Sequence, residues 1–591
     1  MSLSAGMHAL YFGADDAAVF GWLHAPVKAW PDLGVIVCSP FGREELSAHR
    51  SLRALAQGVC DAGLPAMRFD YPGCGDSWGD DDTPGLVERW IGSVHAAAEE
   101  LKRLTGVSRV AFVGLRLGAT LAAKAALTRD DTVAFAGIET VVAGRSFLRE
   151  LKALQARRAS SSDESADAFE SGGFVLSGSS RDAVTALDLR QHTRPVAPQM
   201  LLIGRDDMPG NDRWPEQLRS QGAEVDLHRL PGYADMMLDP QNSVVPRAMV
   251  DAVVQWLQRI GSGSPAASEP GGDVCRQARF GEALERSVEL DGGGVLLRGV
   301  LTLPADGRAT PESVLLLNAG STRRIGPSRL HVTLARRWAA QGRAVLRVDL
   351  SGLGDSECRT GAADNVVYSN TAVAETASAA RQLLALAQAK RCHSVGLCAG
   401  AYHGLKAAVR GAPLHGVVAI NPLVFFWHDG MSVDAPTADF EVADAVARYR
   451  EGLFSAARWR KLISGQINLL DVLGTVWRGV VSKLRHTLRD VARSLHIPIE
   501  DDLAKELRSV HARGVGVQFV FSQRDPGRQL LLTQGGRRVA QMLDHGDIGM
   551  NVIAGADHTF SLRVPRAAAL ALLTDVFNKA APGPDKATRS A

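Results

Sequence analysis

Two stretches of this sequence occur twice at almost the same spacing, and that repetition limits the folds open to the chain more than any other feature. Arg68-Phe69-Asp70-Tyr71-Pro72-Gly73-Cys74-Gly75-Asp76-Ser77 is echoed by Arg347-Val348-Asp349-Leu350-Ser351-Gly352-Leu353-Gly354-Asp355-Ser356, at an offset of 279 (347 less 68). Gly114-Leu115-Arg116-Leu117-Gly118 is echoed by Gly396-Leu397-Cys398-Ala399-Gly400, at an offset of 282 (396 less 114). Two motifs at nearly one offset read as a tandem duplication. Residues 261–273, rich in Gly, Ser and Pro, form a connector between the copies. A chain of 591 residues has room for at least two domains with full cores.

Each copy alternates short apolar runs with helical patterns. Gly34-Val35-Ile36-Val37-Cys38 and Ser313-Val314-Leu315-Leu316-Leu317 are mostly apolar without a break, which implies strands buried on both faces of a parallel sheet. Helical stretches such as 330–340 and 373–389 separate the strands, so each copy reads as a doubly wound α/β domain. Sites in such sheets form at the carboxyl ends of the strands.

A net charge of +2 argues against an electrostatically driven nucleic-acid binder. The opening MSLSAGMHALYFG lacks a basic segment followed by an apolar one, and no stretch reads as a membrane span; the expectation is a soluble, cytoplasmic protein. Seven cysteines, odd in number and without paired metal-ligand spacings, indicate neither a disulfide framework nor a zinc site. Gly352-Leu353-Gly354 falls within the aspartate-serine block rather than opening a dinucleotide-binding helix, so no cofactor is expected.

The sequence Gly396-Leu397-Cys398-Ala399-Gly400 reads as a strand end, a tight turn with a thiol at its tip, and a helix start. Glycines two before and two after the thiol permit the sharp bend. Downstream, Asp525 follows the strand pattern Gly516–Phe521, and His558 follows the short run Met550–Ile553 by a loop. A thiol with an ordinary pKa of ~8.5 is mostly protonated at neutral pH, and an adjacent imidazolium and a helix N-terminus both favour the thiolate. An aspartate can hold the imidazole in the useful tautomer. Asp557, next to His558, is the alternative acid. His403, five residues beyond Cys398 on the following helix, is expected to pack or face solvent rather than act, and His428-Asp429, after Asn421-Pro422-Leu423, is a lesser candidate in a loop that could border the pocket.

Asn318-Ala319-Gly320, the R-x-D-x-x-G-x-G-D-S block, the G-x-C-x-G turn, Arg524-Asp525 and Gly555-Ala556-Asp557-His558, in that order, resemble the α/β-hydrolase superfamily. Within it the chain is most similar to serine-aminopeptidase-like hydrolases, including the exosortase-associated ones, with cysteine in the serine position. The resemblance spans nearly all of both copies. It implies two tandem α/β-hydrolase domains, each a mostly parallel doubly wound sheet with helices on both faces and a helical cap. It also implies a Cys398-His558-Asp525 triad and an oxyanion hole from the N–H groups of Ala399 and Gly320. The expected reaction is acyl transfer through a cysteine acyl-enzyme on an ester or thioester. The alternatives are simple ester or thioester hydrolysis and, from another class, a non-catalytic binding module.

The expected organisation is a degenerate domain over 1–260, a linker over 261–275, a catalytic domain over 276–580 with a helical lid at about 430–510, and a flexible tail over 581–591. The first copy has Arg116 at the nucleophile position and Asp235 in place of the histidine, while Asp206 stands at the acid position. It reads as a pseudo-enzyme whose Arg116 pairs with Asp206 and Asp235, and serves as a scaffold or as a pocket for an anionic group. Between nucleophile and acid positions the first copy spans 90 residues (206 less 116) and the second 127 (525 less 398), so the second has the larger cap. There Val481, Leu484, Leu488, Val491 and Leu495 recur at helical spacing, with Lys483, Arg485, Arg489 and Arg493 on other faces. That basic surface is either a solvated face or a contact for an acyl carrier protein or a coenzyme A thioester; the substrate is a small-molecule or carrier-bound acyl group.

Overall fold

The computed structural model describes residues 4–14, 17–158, 168–171, 173–208, 213–262, 272–432, 495, 497 and 499–580. Most of the expected linker, all of the expected tail, and the expected lid helix apart from Leu495 lie outside the described residues. The chain divides into two compact units, Met1–Ser287 and Val288–Ala591.

The strands are β1 (Gly6–Phe12), β2 (Val19–Ala25), β3 (Gly34–Cys38), β4 (Ala66–Phe69), β5 (Val110–Leu115), β6 (Thr132–Ile138), β7 (Ala168–Ser171), β8 (Phe174–Ser177), β9 (Gln199–Arg205), β10 (Glu224–Leu230), β11 (Gln277–Phe280), β12 (Ala283–Asp291), β13 (Leu296–Pro304), β14 (Glu312–Leu317), β15 (Ala344–Val348), β16 (Arg391–Leu397), β17 (Gly416–Ile420), β18 (Gly516–Ser522) and β19 (Gly549–Ile553). The first sheet runs β1-β2-β4-β3-β5-β6-β9-β10 and the second β11-β12-β13-β15-β14-β16-β17-β18-β19, with β7-β8 a separate hairpin. Without β11, the second order repeats the first position by position. From β4 and β15 onward the strands are parallel. The molecule is therefore two tandem α/β domains, each a mostly parallel sheet with helices on both faces.

Unbroken apolarity in the central strands has the physical cause expected of it. In β3, Val35 and Val37 pack on one side with the helices Arg43–Asp61 and Arg247–Gly261, while Ile36 packs on the other with Leu86–Thr105. In β14, Val314 and Leu316 face the helices Leu330–Ala340 and Arg563–Ala580, and Leu315 and Leu317 face Ala372–Leu386. Successive side chains point to opposite faces, and both faces are covered, so neither can be polar.

The aspartate-serine block is structural in both copies. Asp76 N–H donates to Asp70 Oδ2 (2.8 Å), and Ser77 Oγ donates to Asp70 O (2.6 Å) while accepting from Phe20 N–H (2.8 Å). Asp355 N–H, Ser356 Oγ and Arg298 N–H repeat these bonds around Asp349 at 3.1, 2.6 and 2.8 Å. Gly75 and Gly354 have φ of 51° and 52°, and a Cβ would lie 1.9 Å and 2.3 Å from the aspartates they wrap. In the second copy the enclosed Arg324 guanidinium also bridges Asp349 (3.0 Å) and Asp355 (2.7 Å).

β14 pairs with β15 on one side and β16 on the other, so the strand order reverses at β14, the kind of switch point at whose carboxyl ends sites form in such sheets. The 318–320 loop and Cys398 follow β14 and β16 there. The turn at Cys398 needs its glycines: a Cβ on Gly396 would lie 2.1 Å from Gly400 C, and one on Gly400 2.8 Å from Asn318 O. Gly396→Ala should lower stability by about 1–3 kcal/mol, the cost of overpacking. Thermal unfolding checks this; an unchanged midpoint would mean the turn opens freely.

Candidate active site

Cys398 links β16 to the helix Ala399–Val409 with φ 57° and ψ −113°, a left-handed conformation that is strained for a residue with a side chain. The strain is imposed by the close packing of strand, turn and helix, and the thiol, in no disulfide, is half-exposed.

Asp525 stands three residues past the end of β18 with its side chain fully enclosed. Its Oδ1 accepts from Gly527 N–H (2.8 Å), and its Oδ2 faces His558 Nδ1 at 2.5 Å. His558 follows β19 through the turn at Gly555 (φ 68°) and is a third exposed. Burial lowers the affinity of the ring for a proton, but hydrogen bonding and charge from Asp525 and Cys398 outweigh it and hold His558 well above the usual histidine value. The structure thus brings Cys398, His558 and Asp525 into one cluster.

The direction of that shift fixes a pH dependence. A raised pKa in the folded state means that the imidazolium's contribution to stability is complete below the unfolded value of about 6.5 and is lost as pH rises through the folded value. The stability difference between the wild type and His558→Ala should therefore shrink as pH rises above about 6.5. Urea unfolding across that range checks this; a difference that grows with pH contradicts it.

The other candidates lie elsewhere. Asp557 Oδ1 accepts from Ser561 N–H (2.7 Å) and its Oδ2 from Ser561 Oγ, so this carboxylate forms a turn. His403 is buried and packs edge-on to Tyr368 and Tyr402, with burial pushing its imidazole down to about 4. His428 is exposed and pairs with Asp501 at 2.8 Å. Ala399 opens its helix, where the first N–H groups lack intrahelical acceptors. Gly320 has φ 58° in the loop after β14, and the contacts of Gly400 with Asn318 O and Leu317 O set that loop against the helix start.

Sequence reasoning missed Tyr368. This buried ring stacks on Trp427 (4.2 Å between centroids) and interacts with Cys398 through hydrogen bonding and charge, which together with burial raise its phenol well above the usual value. Val366-Val367-Tyr368 belongs to no repeated motif, so the sequence carries no signal for it.

In the first domain Arg116 keeps the turn, with φ 54° and ψ −123°, between Gly114 and Gly118. The expected partners are corrected: its guanidinium bonds Glu44 (2.8 Å) and Glu150 (2.6 Å), whereas Asp206 and Asp235 are exposed. Burial raises the Glu44 carboxyl, against the attraction of Arg116. Asp206 lies beyond β9 and Asp235 on the short helix Tyr233–Met236, whose inward side chains are Tyr233 and Met236. Carboxylates on the helices Arg43–Asp61 and Gly144–Arg158 reach the guanidinium instead.

Among the described residues no three His, Cys, Asp or Glu side chains converge as metal ligands, and no helix is long and apolar enough to cross a membrane. No family model and no curated relative matches the sequence. Among solved structures the chain is similar to Est1E from Butyrivibrio proteoclasticus (17% identity, 42% of this chain and 98% of that one, TM-score 0.33). It is also similar to an esterase of Pyrococcus furiosus (15%, 43% and 91%, 0.32) and to alpha/beta hydrolase domain-containing protein 10 from mouse (16%, 43% and 99%, 0.30). Each is a distant likeness over less than half of the chain, and what its own topology establishes is a pair of tandem α/β domains.

Proposed function

We propose that the second domain is an α/β-hydrolase-type enzyme that transfers acyl groups through Cys398, and that the first is a duplicate that has lost this chemistry. One observation carries the reading: His558 Nδ1 meets Asp525 Oδ2 at 2.5 Å in a ring that also interacts with Cys398, and Cys398 stands at the tip of a strained strand-to-helix turn.

On this reading the Cys398 thiolate, its proton already held by the His558 imidazolium, attacks the carbonyl carbon of an ester or thioester. Asp525 fixes the Nδ1–H tautomer and stabilises the imidazolium. The N–H groups of Ala399 and Gly320 receive the oxyanion. Collapse expels the alkoxide or thiolate, which takes the proton from His558, and leaves a thioester on Cys398. A second nucleophile then attacks, delivering its own proton to His558, and collapse breaks the C–S bond, releasing the acylated product and restoring the Cys398 thiolate beside the imidazolium. Thioesters react readily with amines and thiols, so transfer to such an acceptor, or cyclisation, stands beside hydrolysis as the fate of the acyl group. Acyl carrier protein or coenzyme A thioesters suit such a donor role and belong to the cytoplasm. Domain limits at 1–260 and 276–580 are part of the same proposal.

Intact-mass analysis of the full chain after incubation with an activated acyl thioester should show one added acyl group. Product analysis with water alone and with an added amine then separates hydrolysis from transfer. A chain that stays unmodified, or whose adduct maps elsewhere than Cys398, overturns the proposal.

A further inference from the structure

Asn421 immediately follows β17 and is fully buried, with φ 45°. Its N–H donates to Val520 O (2.9 Å), so the chain stays on the sheet for one more residue. The side chain then joins two loops. Its Oδ1 accepts from Ser522 N–H (2.7 Å), and its Nδ2 donates to Ser522 Oγ (2.9 Å) and to the backbone carbonyl of His558 (2.7 Å). Ser522 Oγ in turn donates to Asp557 O (2.7 Å). Ser522 ends the strand that leads to Asp525, and Asp557-His558 is the loop that carries the base. One carboxamide therefore bonds both segments whose side chains meet at 2.5 Å.

The first domain supplies an internal control. Glu139 lies 282 residues before Asn421 (421 less 139), the offset that relates Arg116 to Cys398. It has φ 46°, donates its N–H to Ile203 O (2.8 Å), and accepts from Arg205 N–H through Oε1 (2.7 Å). The bond to the strand end is kept. A carboxylate has no amide donor, however, and that domain has Asp235 where the second has its histidine. The donor occurs in the copy that has an imidazole to hold.

We infer that Asn421 is a positioning residue that sets His558 against Asp525 through its two N–H bonds. This rests on the acyl-transfer reading of the same cluster. Backbone anchoring acts on the reaction because a displacement of about 1 Å at a base can lower its rate 100-fold.

Two variants of the full chain test it. Asn421→Asp keeps an acceptor for Ser522 N–H and lacks both donors; Asn421→Gly removes the side chain and relaxes the positive φ. The expected result in both is a cooperative thermal transition, a roughly 10–100-fold slower alkylation of Cys398 by iodoacetamide at neutral pH, and a changed NMR signal of the His558 Nδ1 proton. Alkylation within twofold of wild type with an unchanged proton signal overturns the inference. Failure of both variants to fold overturns it too, because the residue would then hold the fold rather than the base. A wild type that forms no acyl adduct defeats the acyl-transfer reading alone, since alkylation and the imidazole signal are read without an acyl donor.

Discussion

Cys398→Ala is expected to lose acyl-enzyme formation altogether and to lower turnover of an activated thioester by at least about 10³-fold, the scale on which loss of an attacking side chain acts. The variant should fold, because alanine fits the half-exposed turn and the change removes a single sulfur at the edge of the core. What it removes is the atom that bonds the acyl group; nearby groups can still bind and polarise a carbonyl, but none occupies the tip of the turn. The same substitution distinguishes enzyme from binding module. If mass spectrometry finds the acyl adduct on the alanine variant, or if turnover persists within tenfold, Cys398 is not the nucleophile and the proposal fails.

Asp525→Asn should be nearly as damaging, with kcat reduced by up to about 10⁴-fold while KM changes little. The enclosed carboxylate faces His558 Nδ1 at 2.5 Å and also accepts from Gly527 N–H. An amide in its place can present an N–H to the imidazole. The ring then protonates on Nε2, and the nitrogen that should receive the thiol proton is already occupied. Shape and packing are nearly preserved, so unfolding should change far less than rate. Asp557→Asn is the control: this carboxylate engages Ser561, and its loss should leave kcat within about threefold while loosening the turn. Equal losses in the two variants would remove Asp525 from the role of orienting acid.

Much of this is legible in the sequence. The unbroken apolar runs of β3 and β14 announce strands covered on both faces, because a lone sheet surface would tolerate alternation. Gly75, Gly354, Gly396 and Gly400 are equally readable, since each occupies a place where a Cβ would strike neighbouring atoms within about ten residues or across one strand pair. The reach of such reasoning ends with Arg116. Its charge is plain, yet the repeat points to Asp206 and Asp235 as its partners, while Glu44 and Glu150, separated from it by 72 and 34 residues, make the bonds. Asn421 looks like an ordinary turn former, and Tyr368 like one more core aromatic.

By itself, then, the sequence determined the strands, the sharp turns and the order in which chemical groups arrive, because apolar runs and glycine requirements act locally along the chain. Tertiary structure alone decided which carboxylate meets Arg116, that Asn421 bonds the loops of acid and base together, and that Tyr368 reaches Cys398. Those contacts depend on how separate loops converge at the carboxyl ends of parallel strands. A shift of one helical turn or one loop residue there changes the partner without changing any local pattern.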